Sequence, residues 1–348
     1  MQEIKVLAVD DSILFREMLS KGMGRFHDIT VVGVAVNPFD AKDKIARLKP
    51  DVVTLDVEMP HMDGVKFLYS LMSQHPLPVV VISSLRDSVF DAMDAGAIDF
   101  IPKPDSLTRG RNAFMDEVAA KVRAAAGVKF ERRKNEAKDL DLPPLELGTP
   151  ADAASVIAIG ASTGGTEAIF SILTKYGPNI PGFVVVQHMP EGFTKLFAQR
   201  LDSASNIEVK EAEDGDEVRP GRALIAPGGR HMRLRRANAG GGYTVSIESC
   251  SKVNGHMPSV DVLFESVSEA AGADAIGVIL SGMGSDGANG LKKIREAGGY
   301  TIGQDERSSI VYGMPMAAYT AGAVMVQLSL YRIPDEIIRK LESRVAGS

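Results

Sequence analysis

Acidic residues, a serine and a lysine recur at the ends of short apolar runs in the first third of the chain. Asp10 and Asp11 follow IKVLAV, and Asp56 lies near the end of DVVTLDV. Ser83 ends PVVVIS, and Lys103 lies in IPKP. Clustered carboxylates repel one another unless a hard cation such as Mg²⁺ joins them, and that cation also neutralises an incoming phosphoryl group. Because a serine can donate to a phosphoryl oxygen and a lysine supplies positive charge, the set predicts a carboxylate that accepts phosphate.

A second chemical signal is the glycine-rich turn that contains Ser162. The apolar run SVIAIG leads into GASTGG and then into the helical pattern TEAIFSILTKY. A serine on a strand-to-helix turn is exposed above a sheet, and the amides of the following helix can stabilise an oxyanion. Glycine-rich turns of this kind also bind phosphate groups. Taken alone, the turn leaves two interpretations open, a nucleophile or an anion-binding loop.

A nucleophilic serine needs a base and an acid that orients it. Of the six histidines, His188 is the best candidate because it closes the run GFVVVQ, as Ser162 closes its own. Asp286 in SGMGSDGANG follows the run AIGVIL, and the glycines around Met283 allow backbone amides to approach an oxyanion. The alternatives are a packed histidine and an aspartate that only caps a helix.

The order serine, histidine, aspartate differs from the serine, acid, histidine order of common α/β-hydrolases. No histidine follows Asp286. An α/β-hydrolase would therefore have to combine an earlier acid such as Asp216 with His231 or His256, and none of these follows a predicted strand as directly.

The elements that must position these residues are alternating strands and helices. Five apolar β-branched runs alternate with five amphipathic stretches in residues 1–125, which predicts a flavodoxin-like, doubly wound parallel sheet. Residues 126–152 are rich in mixed charge and proline and predict a linker. Residues 153–348 return to the alternation and predict a second doubly wound α/β domain with a largely parallel sheet. In both domains the candidate residues then meet at the carboxyl edge of a sheet.

The composition narrows the classes of function. The chain has 348 residues, 45% hydrophobic and 24% charged, with a net charge of −6. The acidic balance and the lack of a basic patch argue against nucleic-acid binding. A lone cysteine, Cys250, and the absence of a signal-peptide pattern predict a cytoplasmic protein. Residues 308–331 carry no charge over a length that could span a bilayer. Their glycines, proline and polar residues instead predict that GMPMAAYTA forms a buried helix and AVMVQL a core strand, with no membrane insertion.

Longer motifs carry a resemblance to known families. The first domain, with AVDDS, TLDVEMPHMDG and IPKP, resembles a two-component receiver domain. The second, with IAIGASTGGTEAI, VVQHMPEGFT, HMPSVDVLF, GVILSGMGSDGANG and YGMPMAA, resembles the chemotaxis protein-glutamate methylesterase family, and the likeness covers nearly the whole chain.

In the first domain the resemblance implies that Asp56 is the phosphoacceptor. Asp10, Asp11 and Asp56 would hold Mg²⁺ together with the backbone carbonyl of Glu58. Ser83 and Lys103 would respond to the phosphoryl group. The implied phosphodonor is a chemotaxis sensor histidine kinase.

In the second domain the resemblance implies a triad of Ser162, His188 and Asp286, with Thr163 and the backbone around Met283 at the oxyanion. The implied reaction is phosphorylation-regulated hydrolysis of glutamate methyl esters on methyl-accepting chemotaxis receptors, with methanol released. Some members of the family also deamidate receptor glutamines. No cofactor is expected in the esterase site.

Two other classes of function are weighed against this one. A phosphorylation-dependent binding module would have no need for all three triad residues. A transcriptional regulator would need a basic helix-turn-helix after the linker, where the sequence predicts an α/β domain instead.

Overall fold

The computed structural model describes residues 3–59, 63–84, 86–104, 110–128, 144–152, 154–237 and 241–346. The chain divides into two compact units, Met1–Arg132 and Arg133–Ser348. The domain boundaries at 125 and 153 stay predictions, because most of the predicted linker, residues 129–143, lies outside the described residues.

The first unit is built on one parallel sheet. Its strands are β1 (Ile4–Val9), β2 (Ile29–Ala35), β3 (Val52–Leu55), β4 (Val79–Ser83) and β5 (Asp99–Pro102). Their order in the sheet is β2-β1-β3-β4-β5, and each neighbouring pair is parallel. Every residue of β3 and β4 is buried, as expected when helices cover both faces of a sheet. The predicted flavodoxin-like fold is confirmed.

Polar side chains cap three of the helices of the first unit. They are α1 (Ile13–Met23), α2 (Pro38–Leu48), α3 (Gly64–Gln74), α4 (Arg86–Asp94) and α5 (Arg111–Ala126). Ser12, Asn37 and Asp63 accept hydrogen bonds from the first-turn amides of α1, α2 and α3. These caps satisfy amide groups that have no partner within the helix.

The second unit contains two sheets. Its strands are β6 (Val156–Ala161), β7 (Gly182–Gln187), β8 (Glu208–Glu211), β9 (Glu217–Val218), β10 (Arg222–Ile225), β11 (His231–Arg236), β12 (Tyr243–Glu248), β13 (Ala275–Ile279), β14 (Tyr300–Gln304) and β15 (Val326–Leu328). Seven of them form a parallel sheet in the order β15-β14-β13-β6-β7-β10-β8. The predicted second α/β domain with a largely parallel sheet is confirmed.

Helices surround the larger sheet of the second unit. They are α6 (Gly165–Leu173), α7 (Phe193–Ala204), α8 (Val260–Ala270), α9 (Ala288–Glu296), α10 (Met314–Thr320) and α11 (Ile333–Ala346). Phe264 of α8 is fully buried and belongs to the same apolar cluster as Val156 and Val186 of the central strands. Such buried aromatic contacts supply much of the free energy that holds a helix on a sheet.

The remaining strands, β11, β12 and β9, form a separate antiparallel sheet. The apolar pattern of YTVSIES predicts one of the strands of the largely parallel domain, but its residues 243–248 pair with the arginine-rich segment HMRLRR instead. A short connection after Arg236 allows this antiparallel pairing, whereas a parallel pairing would require a long crossover.

The uncharged segment 308–331 is divided between short elements. It contains α10, of which Met314, Pro315 and Ala318 are buried, and then the short strand β15. None of the described helices combines the length and the apolar content that a bilayer crossing requires.

Candidate functional site

Three acidic side chains meet at the carboxyl edge of the first sheet. Asp10 and Asp11 follow β1, Asp56 follows β3, and one carboxylate oxygen of each lies within 4.8 Å of the others. The ammonium of Lys103, next to β5, lies 2.5 Å from Asp56 Oδ2 and 2.8 Å from Asp10 Oδ2. Three carboxylates with one ammonium leave net negative charge, and oxygen donors alone suit a divalent cation such as Mg²⁺. The donor set therefore fits the predicted metal.

Burial dominates the electrostatics of this cluster. Asp10 and Asp56 are 1% and 2% exposed. Burial raises the pKa of Asp56 to about 6, against the lowering effect of hydrogen bonds from Lys103 and the Glu58 amide. Burial alone would lower the pKa of Lys103, but its bonds to Asp10 and Asp56 raise that pKa overall. Lys103 is therefore held as a cation beside the carboxylate that is predicted to accept phosphate.

Ser83 and Glu58 form a hydrogen bond beside the same cluster. The Ser83 hydroxyl donates to Glu58 Oε1 over 2.6 Å, and the Glu58 amide donates to Asp56 Oδ1 over 2.9 Å. The family resemblance implies a role only for the backbone carbonyl of Glu58. In the structure its carboxylate bonds to Ser83, so Ser83 must exchange that bond to reach a phosphoryl oxygen.

We expect Asp56→Asn to stabilise the first unit at pH 7.5 when a chelator removes divalent cations. The pKa of Asp56 is about 6 in the fold against an ordinary 3.8. Ionisation of Asp56 therefore lowers the free energy of unfolding. This destabilisation is complete above pH 6 and absent below about pH 4. The neutral amide should raise the free energy of unfolding by about 1–3 kcal/mol at pH 7.5. The lower part of this range allows for the weaker hydrogen bond that an amide, compared with a carboxylate, makes with Lys103.

The measurement is amide hydrogen exchange in β3 of the full chain, compared between variant and parent at pH 7.5 and at pH 4. Asp43→Asn is the matched control, because Asp43 is an exposed aspartate of α2. Equal protection of variant and parent at pH 7.5 would contradict the expectation, as would a gain of the same size at pH 4.

In the second unit, the turn with Ser162 joins β6 to α6. Gly164 has a φ of 76°, and a side chain there would also collide with Ile310, whose Cβ would be 2.6 Å away. Glycine is therefore required for the chain to turn into the helix. The Ser162 carbonyl accepts from the Gly165 amide at 2.6 Å and from Gln187 Nε2 at 2.9 Å. The serine thus lies directly before the amino end of α6.

Ser281, after β13, fixes the backbone of this turn. Its carbonyl accepts from the Ser162 amide at 3.0 Å, and its hydroxyl donates to the Thr163 carbonyl at 2.8 Å. Gly282 lies so close that a side chain there would overlap the Met314 sulfur and come within 2.8 Å of Ser162 Cβ. The segment around Met283 therefore passes immediately beside Ser162.

His188 and Asp286 are brought together by the next strands. His188 directly follows β7, and its amide donates to the Ala161 carbonyl at 3.1 Å, one residue before Ser162. Asp286 lies in the loop after β13, the neighbour of β6 on its other side. His188 Nε2 and Asp286 Oδ2 are 2.8 Å apart, and the carboxylate is 2% exposed. The structure thus joins histidine and aspartate directly at the edge where Ser162 lies.

The environment keeps Asp286 ionised. Burial would raise its pKa, but the hydrogen bond and charge of His188, together with bonds from Asn254 and the Val260 amide, hold the pKa well below its usual range. The Ser259 hydroxyl adds a further bond of 2.8 Å. Because Nε2 faces this carboxylate, Nε2 carries the ring hydrogen, and Nδ1 is the nitrogen left with a lone pair. His188 Nδ1 is buried without a hydrogen-bond partner among the described residues.

The other two histidines of this unit have different surroundings. His231 is fully buried in β11, where Nδ1 accepts from the Ser259 amide at 3.1 Å and Nε2 lies 3.1 Å from the Ser251 carbonyl. Both of its nitrogens are thus bound to backbone. The ring of His256 stacks on His188 with centroids 3.7 Å apart and planes 6° apart. The sequence pattern disfavours His256 because it follows no strand, yet this residue contacts the candidate base.

The two residues expected near an oxyanion differ in exposure. Thr163 is 4% exposed, and Met283 is 41% exposed. The side chain of Met283 therefore reaches solvent beside the turn, whereas the side chain of Thr163 is buried within it.

The polar residues that hold Asp286 were missed by the sequence patterns. Asn254 and Ser259 donate to its Oδ1, and Val260 donates to its Oδ2 through the backbone. The dipeptide Asn254-Gly255 is a turn signal that could have marked this loop as ordered.

Each of the two units matches the model of a known protein family. The model of the response regulator receiver domain matches residues 6–114, and the model described as CheB methylesterase matches residues 157–337. The chain is 52% identical over 340 residues to a protein-glutamate methylesterase/protein-glutamine glutaminase 2 of Syntrophomonas wolfei, with 97% of this chain and 98% of that protein covered. A protein of the same name from Pseudomonas aeruginosa is 43% identical over 350 residues, with 99% of each chain covered.

A solved structure matches the second unit. The crystal structure of the Thermotoga maritima CheB methylesterase catalytic domain has a TM-score of 0.52 and 41% sequence identity, and the match covers 53% of this chain and 98% of that one.

Proposed function

The chain belongs to the CheB methylesterase family, and on that premise we propose that Ser162, His188 and Asp286 are the residues that carry out its reaction. The protein is a protein-glutamate methylesterase/protein-glutamine glutaminase with a receiver domain, and it acts on chemotaxis receptors under the control of phosphorylation. The observation that carries the residue assignment is the 2.8 Å bond between His188 Nε2 and the buried carboxylate of Asp286.

The proposed reaction begins with Ser162. Its hydroxyl oxygen attacks the ester carbonyl while the lone pair of His188 Nδ1 takes the hydroxyl proton. The ionised Asp286 stabilises the imidazolium that forms, because its pKa is held low. The imidazolium then gives its proton to the departing methoxy oxygen, and methanol leaves.

Hydrolysis of the acyl-enzyme repeats these steps with water. His188 takes a proton from water, the hydroxide oxygen attacks the acyl carbon, and Ser162 leaves with the proton that His188 returns. The product is a glutamate carboxylate. A receptor glutamine would follow the same course with ammonia as the leaving group.

The oxyanion of both steps forms beside the amino end of α6. Thr163 in the turn and the backbone around Met283 are the proposed donors, since Gly282 and Ser281 hold that segment against Ser162. Amides fixed before charge develops need no reorganisation during the reaction, which makes them effective stabilisers.

In the receiver domain, Asp56 is the proposed phosphoacceptor. Asp10, Asp11 and Asp56, with the backbone carbonyl of Glu58, are the proposed ligands of Mg²⁺. Bound there, Mg²⁺ would neutralise charge on the phosphoryl oxygens. Ser83 and Lys103 would bond the phosphoryl group once attached. The proposed phosphodonor is a chemotaxis sensor histidine kinase, and family membership supports a cytoplasmic location.

The test of the hydrolase function is product release from receptor fragments. The purified chain should release methanol from fragments that carry glutamate methyl esters, and ammonia from the same fragments with glutamine in those positions. Release of methanol alone would restrict the chain to the esterase reaction. Release of neither product would contradict the proposed function.

We expect phosphorylation of Asp56 by acetyl phosphate to require Mg²⁺. Without a cation, the carboxylates of Asp10 and Asp11 repel the incoming anion. Incorporation of labelled phosphate should fall at least about tenfold in a chelator and disappear in Asp56→Asn, while Asp43→Asn labels normally. Labelling that persists in the chelator would contradict the metal assignment.

A further inference from the structure

A two-residue turn stands beside the candidate triad. Val253 and His256 exchange backbone hydrogen bonds of 3.0 and 2.9 Å, and the turn between them is Asn254-Gly255. Both turn residues have left-handed backbones, with φ of 52° and 82°. Asparagine followed by glycine is the pair that tolerates this conformation best. The turn therefore has the conformation that this dipeptide favours, and the Asn254 side chain lies beside Asp286.

The Asn254 amide joins two buried carboxylates. Its Nδ2 lies 2.8 Å from Asp286 Oδ1 and 2.8 Å from Asp261 Oδ2. An amide nitrogen carries two hydrogens, so one can go to each carboxylate. Asp286 is 2% exposed and Asp261 is 5% exposed, which leaves little water to separate their charges.

Asp261 takes no part in the proposed reaction, yet it bears on Asp286. Burial raises the pKa of Asp261, and the charge of Asp286 raises it further, against hydrogen bonds from the Gly290 amide and Asn254. Like charges in a buried site repel strongly because the effective dielectric is low. A donor shared between the two carboxylates reduces that repulsion and sets their separation.

We propose that Asn254 is a positioning residue for the triad: it holds the Asp286 carboxylate against His188 by bridging it to Asp261. Asn254 donates to Oδ1 beside the Ser259 hydroxyl, while Oδ2 accepts from the Val260 amide and lies 2.8 Å from His188 Nε2. This inference rests on the proposed function, because it assumes that the bond between His188 and Asp286 matters for the rate.

The same turn also contacts one face of the His188 ring. His256, the last residue of the turn, stacks on His188 with centroids 3.7 Å apart. The turn thus bounds the pair of catalytic side chains on two sides, with Asn254 on the carboxylate and His256 on the imidazole.

The experiment replaces Asn254 in the full chain and follows methanol release from glutamyl methyl ester receptor fragments. Asn254→Gly keeps the left-handed turn and removes the amide. Asn254→Asp keeps the size and puts a third carboxylate against the other two. Asn206→Gly is the matched control, because Asn206 is exposed in the same unit and lies outside the site.

We expect Asn254→Gly to lower kcat about tenfold and Asn254→Asp to lower it further, with KM changed less than about twofold. A structural role alone would lower the amount of active enzyme but leave the imidazole signal unchanged. We therefore also record the low-field proton NMR signal of the His188 N–H, which Asp286→Asn should abolish and both Asn254 variants should shift. Asn206→Gly should leave kcat, KM and the signal unchanged.

The inference fails if both Asn254 variants keep the parent kcat, if the loss appears in KM alone, or if kcat falls while the His188 signal stays in place. These outcomes are separable from failure of the proposed function. If Ser162→Ala still releases methanol, the triad assignment is wrong. If Ser162→Ala is inactive and Asn254→Gly is fully active, only the role of Asn254 is wrong.

Discussion

Ser162→Ala and His188→Ala should each reduce methanol release from receptor esters by a factor on the order of a million, while the chain stays folded. The nucleophile and the base act as a unit, so removal of either abolishes the same step. Asp286→Asn should cost less, on the order of ten-thousandfold, because the orienting acid contributes less than its partners.

Steady-state methanol release measures these effects, with labelling by a serine-directed fluorophosphonate as a second measurement. Ser203→Ala is the matched control, because Ser203 is an exposed serine of α7. The parent and the control should be labelled, and peptide mapping should find the label on Ser162. Near-normal turnover of Ser162→Ala or His188→Ala would contradict the triad.

Acetyl phosphate with Mg²⁺ should raise the esterase rate of the full chain by about 5- to 150-fold. That range corresponds to the coupling free energies that are usual between two sites of one protein. A phosphoryl group on Asp56 would take the hydrogen bond that Ser83 now gives to Glu58 and would engage Lys103. The edge formed by β4 and β5 then has two alternative arrangements that phosphorylation can select.

In Asp56→Asn the basal rate should persist and the rise should be absent. Asp43→Asn should respond as the parent does, and a fragment of residues 151–348 should show no response to the phosphodonor. A rise of equal size in Asp56→Asn would show that phosphorylation of Asp56 does not control the esterase rate.

Much of this arrangement could be predicted because buried parallel strands are continuous apolar runs. VIAIGA and GFVVVQ are buried at every position, so the apolar runs alone predict that the residues after them, Ser162 and His188, lie at one edge of a sheet. The same reasoning predicts the place of Asp286, after β13. The alternation of strands and helices was enough to predict both folds.

The rest depends on contacts that no local pattern carries. In β11, HMRLRR alternates buried apolar residues with arginines whose charges pair with Glu248 on β12, so the segment is not an apolar run. The bonds from Asn254 and Ser259 to Asp286 join loops that are distant in sequence. That His188 bonds to Asp286 through Nε2 and not Nδ1 depends on the orientation of the ring, which spacing along the chain does not determine.

The central position of β6 in its sheet has a consequence for how the enzyme becomes active during synthesis. β6 pairs with β7, which follows closely, and also with β13, where Ile157 lies opposite Ile276. During synthesis β6 and β7 are complete well before β13 is made, because several helices and strands lie between them along the chain. A nascent chain that ends before β13 can hold Ser162 and His188 but has neither Asp286 nor the Ser281 bonds that shape the turn. The serine therefore lacks its orienting acid until most of the chain has left the ribosome.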